Sequence, residues 1–250
     1  MKKTFRLLAA VALGLPALAH CAASDYVRIP AVEYGEREIE IKYGTEKMKD
    51  SEGGERASAG SVAVGYGATQ WWFTEAYLKW EKEGAGKTKY DAFEFENKFQ
   101  LTEPNKYPVD VGFVAEIEIP KERNAEGYEF RFGPLFQTDT GPIRWNANLL
   151  IERHFRAHQD NPEGTLMQYQ LQARYDVSRN LGVGFQAFGE MGQWDHWLPW
   201  NEQDHRIGPA VFGRVKLEGR NQIVYNAAIL FKATDAAPDN TFRLQVEYEF

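Results

Sequence analysis

One cysteine, Cys21, and only five serines mark what this 250-residue chain has little of. A lone cysteine excludes a disulfide framework and a thiolate metal centre. The serines, Ser24, Ser51, Ser58, Ser61 and Ser178, leave a hydrolase little choice of nucleophile. Ser61 beside His154 is the one pairing at a suitable height, and no sequence spacing brings the two together. Basic charge is also short, with 29 Lys and Arg against 36 Asp and Glu, which argues against a nucleic-acid partner. After residue 23 no stretch approaches the roughly 18 consecutive apolar residues of a membrane helix, so any passage through lipid falls to strands.

The chain does contain many aromatics, 14% of its residues, together with 26% charged residues and a mean hydropathy of −0.53. Its start, MKKTFRLLAAVALGLPALAHCAAS, has a basic head (Lys2, Lys3, Arg6), an apolar run and small residues suited to cleavage. Residues 1–23 therefore read as a secretory signal peptide, cleaved after Ala19 or Ala23. His20 argues against lipidation of Cys21. Loss of the three basic residues takes the formal charge from −7 to −10. Residues 24–35 are expected to form an N-terminal periplasmic segment.

From residue 36 the dominant signal is a two-residue period. In TFRLQVEYEF, Phe242, Leu244, Val246, Tyr248 and Phe250 share one face, and Arg243, Gln245, Glu247 and Glu249 share the other. DVGFVAEIEI, DAFEFENKFQL and IRWNANLLIERH repeat the pattern. The spacing predicts twelve strands near 36–43, 61–69, 72–82, 89–101, 109–119, 128–137, 142–154, 165–177, 181–191, 204–217, 222–232 and 241–250. Short links (ATQW, TEPNKYP, TDTG, SRN, EGRN) alternate with long polar ones such as GTEKMKDSEGGERASAG and GQWDHWLPWNEQ. The expected fold is all-β: an antiparallel up-and-down transmembrane β-barrel of about 12 strands over residues 36–250. The competing soluble barrel would have to fill its interior with an aromatic set too large for a small barrel.

The whole mature chain resembles Gram-negative outer-membrane β-barrel proteins, and its C-terminal strand with Val246, Tyr248 and Phe250 resembles their assembly signal. Size and strand count are similar to those of the small twelve-stranded specific porins and of the putative phenol-degradation outer-membrane family. The resemblance implies an outer-membrane location reached through the signal peptide, with membrane lipid and the barrel assembly machinery as partners. It implies no cofactor.

If the oily residues face lipid, the others line the lumen. The early strands bring Glu38, Glu40, Glu75, Glu94, Glu96, Asp110, Glu116 and Glu118 against only Lys42, Lys79 and Lys98; the later ones carry most of the arginine. Twelve tilted strands give a backbone radius of about 12 Å. The expected function is a passive, charge-selective channel for small polar or acidic solutes. Its candidate filter is Arg131, Arg144, Arg174, Arg214 and Arg243 facing Glu94, Glu96, Glu116 and Glu118. The alternatives are a closed structural or adhesion barrel, in which these charges pair, and a lipid-modifying enzyme. The loop with Trp194, Asp195, His196, Trp197, Trp200 and His205 belongs at the extracellular rim. Tryptophan suits a membrane interface there, stacking on a sugar or aromatic ligand is an alternative, and the Asp-His pairs match no metal motif.

Overall fold

The computed structural model describes residues 25–47, 54–122, 127–156 and 164–250. The expected signal peptide, Ser24 and Ser51 lie outside the described residues.

Twelve long antiparallel strands close into a barrel: β1 (Arg37–Lys47), β2 (Arg56–Gly67), β3 (Trp72–Lys82), β4 (Lys89–Gln100), β5 (Asp110–Pro120), β6 (Tyr128–Thr140), β7 (Ile143–Phe155), β8 (Thr165–Ser178), β9 (Leu181–Gln193), β11 (Asp204–Lys216), β12 (Gln222–Lys232) and β13 (Asn240–Glu249). A two-residue strand, β10 (His196–Trp197), folds back on β9 and lies outside the ring. Each barrel strand pairs with its neighbours in sequence, and β13 pairs with β1 to seal the ring. Closure pairs both edges of every one of the twelve barrel strands, which is how a sheet avoids exposing unpaired backbone. No helix among the described residues is long and apolar enough to cross a membrane.

All twelve predicted strands are present. The largest departure is at the first hairpin, where β1 and β2 continue through Lys47 and from Arg56 although GTEK and ERASAG are too polar and small to carry alternation. Pairing of this hairpin, such as Thr45 with Ser58, is made by the backbone ladder together with the Thr45 hydroxyl, which donates to the Ala57 carbonyl (2.9 Å), and neither leaves a hydropathy trace.

Side chains are distributed inside out. Ile39, Ile41, Val62, Val64, Leu78, Phe95, Leu149, Leu171, Val183, Phe185, Ile207, Val211, Ile229 and Phe231 are exposed on the outer wall. Glu40, Glu94, Glu96, Glu116, Glu118, Arg131, Asn148, Gln170 and Arg243 are buried inside. An apolar exterior around a polar interior is the arrangement a barrel in lipid requires. The end bearing the short turns also carries the chain's entry into β1 and its terminus, Phe250, whose N–H donates to the Arg37 carbonyl (2.8 Å).

Residues 25–32 depart from the sequence reading. Rather than lying outside the barrel, they run up its axis. Val32 N–H donates to Gln100 Oε1 (2.8 Å) near the short-turn end. Arg28 sits at mid-height against Asn148 on β7, and Asp25 lies 3.5 Å from Arg131. A turn over Glu33–Glu36 then reverses the chain into β1; Gly35 has φ +80°, a left-handed value that glycine takes without strain. Wall and segment are in close contact, since a methyl group at Gly112 would stand 2.9 Å from Cα of Pro30.

Candidate functional site

The interior at mid-height is a polar network organised around the inserted segment. Alternation puts Glu94, Glu96, Glu116 and Glu118 on the inner face of β4 and β5, where each is at most 4% exposed. The register aligns Glu94 with Glu118 and Glu96 with Glu116. Like charges this close are tolerated only with cations between them. Lys79 supplies one, 3.1 Å from Glu94 and also in contact with Glu118. Arg131 supplies a second through its contact with Glu116. Arg28 is the third: its Nε donates to Glu96 (2.8 Å) and its Nη2 to Glu116 (2.5 Å).

An aromatic layer adjoins the carboxylates. The Tyr26 hydroxyl donates to Glu96 (2.9 Å) and lies 3.1 Å from that of Tyr77, which itself donates to Glu75 (2.8 Å). Lys42 Nζ is 3.3 Å from the centre of the Tyr26 ring and 4.0 Å from that of Tyr77, a cation held between two π faces. Across the lumen the chemistry changes. Val27 packs with Phe188, Ala210, Phe212, Ala228 and Leu230 from β9, β11 and β12 in a buried apolar cluster. Val114, Leu135 and Leu150, all fully buried, form a second inward apolar patch on β5 to β7. The middle of the barrel is thus filled by paired charge, aromatic rings and the inserted segment.

The expected filter is therefore split. Arg131 meets Glu116 and approaches Glu94 and Glu129, each at 3.9 Å. Arg243 faces inward but away from the carboxylate cluster, donating to Gln186 (2.7 Å) with its guanidinium 4.5 Å from the Phe188 ring. Arg144, Arg174 and Arg214 lie near the short-turn mouth, because their places on β7, β8 and β11 are one to several residues from the turns. Arg144 pairs with Asp139 (3.1 Å) and Arg174 with Asp176 (2.6 Å), both partly exposed, and Arg214 is exposed. A single wall of five arginines facing four glutamates does not form. Alternation fixes which side of the sheet a residue takes, whereas height along the axis depends on register and strand tilt.

At the long-loop end, Trp194, Trp197 and Trp200 are exposed, with Trp194 and Asp195 at the tip of the β9–β10 hairpin. His205 is buried instead. Trp200 stacks on it at 4.2 Å; its Nδ1 lies 2.9 Å from the Tyr169 hydroxyl and its Nε2 2.7 Å from Gln203 Oε1. With both ring nitrogens engaged by protein, His205 is a packing residue, and Asp204 is taken by Arg206 (2.6 Å). Among the described residues, two clusters bring three donor atoms within metal-binding reach: Glu94, Glu96 and Glu116, and Glu129, Glu152 and His154. The first already holds two guanidinium groups, and the second is crossed by the Gln168 amide, which donates to Glu152 (2.7 Å). Ser61, 3% exposed in the lumen, has Lys42 and Lys79 as register partners, while His154 bonds to Glu152 (2.9 Å) on its own strand. Val246 and Tyr248 lie on the seam strand β13 and Phe250 directly follows it, with the rings of Tyr248 and Phe250 stacked 5.4 Å apart.

The residues that sequence reasoning missed are Tyr26, Val27, Arg28, Asn148 and Gln170. A signal was present: eight carboxylates against three lysines on the first five strands demanded cations from elsewhere.

No family model matches the chain, and no curated protein matches it. Among solved structures it is similar to an outer membrane channel from Pseudomonas putida F1, with 11% identity, a TM-score of 0.59, and coverage of 90% of this chain and 98% of that one. A bacterial polysaccharide outer membrane secretin (9% identity, TM-score 0.46, 89% and 99% covered) and a porin (10%, 0.40, 86% and 99%) align less well. The fold is that of an outer-membrane β-barrel, closed by twelve antiparallel strands.

Proposed function

We propose that the chain is an outer-membrane channel for small polar solutes, held shut by residues 25–32 of its own N-terminal segment. The observation that carries this reading is the segment itself. A barrel whose only task is structural can fill its core with strand side chains, whereas here a tethered, separable piece of chain completes the filling. The apolar outer wall supports residence in lipid, the signal-like residues 1–23 support export, and the C-terminal strand supports recognition by the assembly machinery. In this orientation the short-turn mouth faces the periplasm and the tryptophan hairpin faces outward. The mouth arginines, Arg144, Arg174 and Arg214, draw anions toward the entrance, but the carboxylate-rich midsection disfavours acidic solutes beyond it. The lumen filled with ion pairs favours one rival, a permanently closed barrel.

Planar-bilayer recordings separate the two. The full-length protein is expected to be silent or to open rarely, and Arg28→Ala to conduct steadily with a cation-favouring reversal potential. Silence of a correctly folded, inserted Arg28→Ala barrel overturns the channel reading.

A further inference from the structure

Arg28 is recognised as a whole residue. Asn148, fully buried, accepts its backbone N–H at Oδ1 (2.8 Å) and donates from Nδ2 to its carbonyl (2.9 Å). Glu96 and Glu116 take two edges of the guanidinium. The preceding side chain, Val27, fills an apolar seat on the other wall. One carboxamide reading both groups of a backbone, a two-carboxylate fork and a neighbouring apolar pocket are the elements by which proteins bind extended peptides.

A second observation is independent of these contacts. Gln170 stands on β8 as the register partner of Asn148, only 1% exposed, and neither of its carboxamide atoms has a hydrogen-bond partner among the described residues. It lines a small cavity with Asp25, Glu190, Asp204, Arg206 and Arg243. A buried amide with four unused hydrogen-bonding positions is costly, and the tethered segment does not satisfy it. A ligand with one more polar group beside its arginine would.

The geometry points to a peptide-binding site in the barrel wall, specific for an apolar residue followed by arginine, of which residues 26–28 are the tethered occupant and a free short basic peptide the exchangeable ligand. This names the solute class of the proposed channel and rests on that reading for transport; binding alone does not. Selectivity for charge follows from Glu96, whose ion-pair partner among the described residues is Arg28. With Arg28 absent, a buried carboxylate is left that a cationic side chain restores and a neutral one does not. The fork favours guanidinium over ammonium because only the planar group addresses both carboxylates at once.

The test is calorimetric titration of the full-length Arg28→Ala protein, folded in detergent, with acetyl-Val-Arg-amide and with acetyl-Val-citrulline-amide, its neutral near-isostere. The expected result is binding of the arginine peptide about tenfold or more tighter than the citrulline peptide, a difference about as large lost when Glu96→Gln is added, and weaker binding to the wild type, whose seat is filled. Equal affinities, or no binding to the folded variant, overturn the proposal. If Arg28→Ala does not fold, Arg28→Lys retains the charge without the fork and the same titration is read on it. Because the readout needs no current, a silent bilayer with arginine-selective binding sinks only the channel reading, and conduction without selective binding sinks only the peptide site.

Discussion

On the wall built by β4, β5 and β7 the inserted segment meets Glu96, Glu116 and Asn148; on the wall built by β9, β11 and β12 it meets Phe188, Phe212 and Leu230. The two grips respond differently to loss. An apolar seat releases its side chain at a cost set by buried area, about 25 cal/mol per Å². A buried ion pair that loses one partner leaves an unpaired charge, which is worse than never having had the pair. The charged wall is therefore the one that decides whether the segment stays, and the apolar wall sets which way its residues face.

The two walls differ most at Arg28. Arg28→Ala is expected to weaken seating of the segment by about 3–5 kcal/mol, seen as a large rise in open time in bilayers while the strands remain folded, since water entering the lumen rehydrates Glu96 and Glu116. On the other wall, Val27→Ala removes two buried methyl groups without creating a charge and should weaken seating by about 1–2 kcal/mol, a shift in the same direction measurable by the same recordings. An effect of Val27→Ala equal to that of Arg28→Ala would show that the walls do not differ in kind. Away from both walls, replacing Arg144, Arg174 and Arg214 with glutamine should move the reversal potential of an open variant toward cations and leave its open time unchanged, because these side chains lie at the mouth.

The smallest effect belongs to the neck below the segment. Burial, with Glu249 nearby, pushes the Glu36 carboxyl up from 4.5 to about 7. A carboxyl whose value is raised on folding favours the protonated form, so its contribution to holding the neck is complete below pH 4.5 and disappears as pH rises through about 7. Open time should therefore increase modestly between pH 5 and pH 8, and Glu36→Gln should flatten that dependence.

The strands were legible because period-two alternation survives wherever one face meets apolar surroundings and the other does not, as in β5 and β13. The inserted segment was not. DYVRIP has a proline and too few residues to read as a strand, and its partners are side chains scattered over β4, β5, β7, β9, β11 and β12. Alternation turns Arg131 and Arg243 to the inner face, where both are buried, but it sets Arg144, Arg174 and Arg214 in the same wall because height along the axis leaves no mark in the sequence. Inward apolar residues such as Leu135, Leu150 and Phe188 were also unreadable as lumen. They break the polar-inside rule because they pack against an inserted chain or one another instead of lining water.

Amide hydrogen exchange at Arg28 in the folded wild-type protein tests the placement of the segment most directly. Its N–H donates to a fully buried Asn148 behind paired charges, so protection of about a thousandfold or more over an unstructured peptide, approaching that of the barrel strands, is expected. Exchange at the free-peptide rate would place residues 25–32 outside the lumen and contradict both the closure and the site built around it.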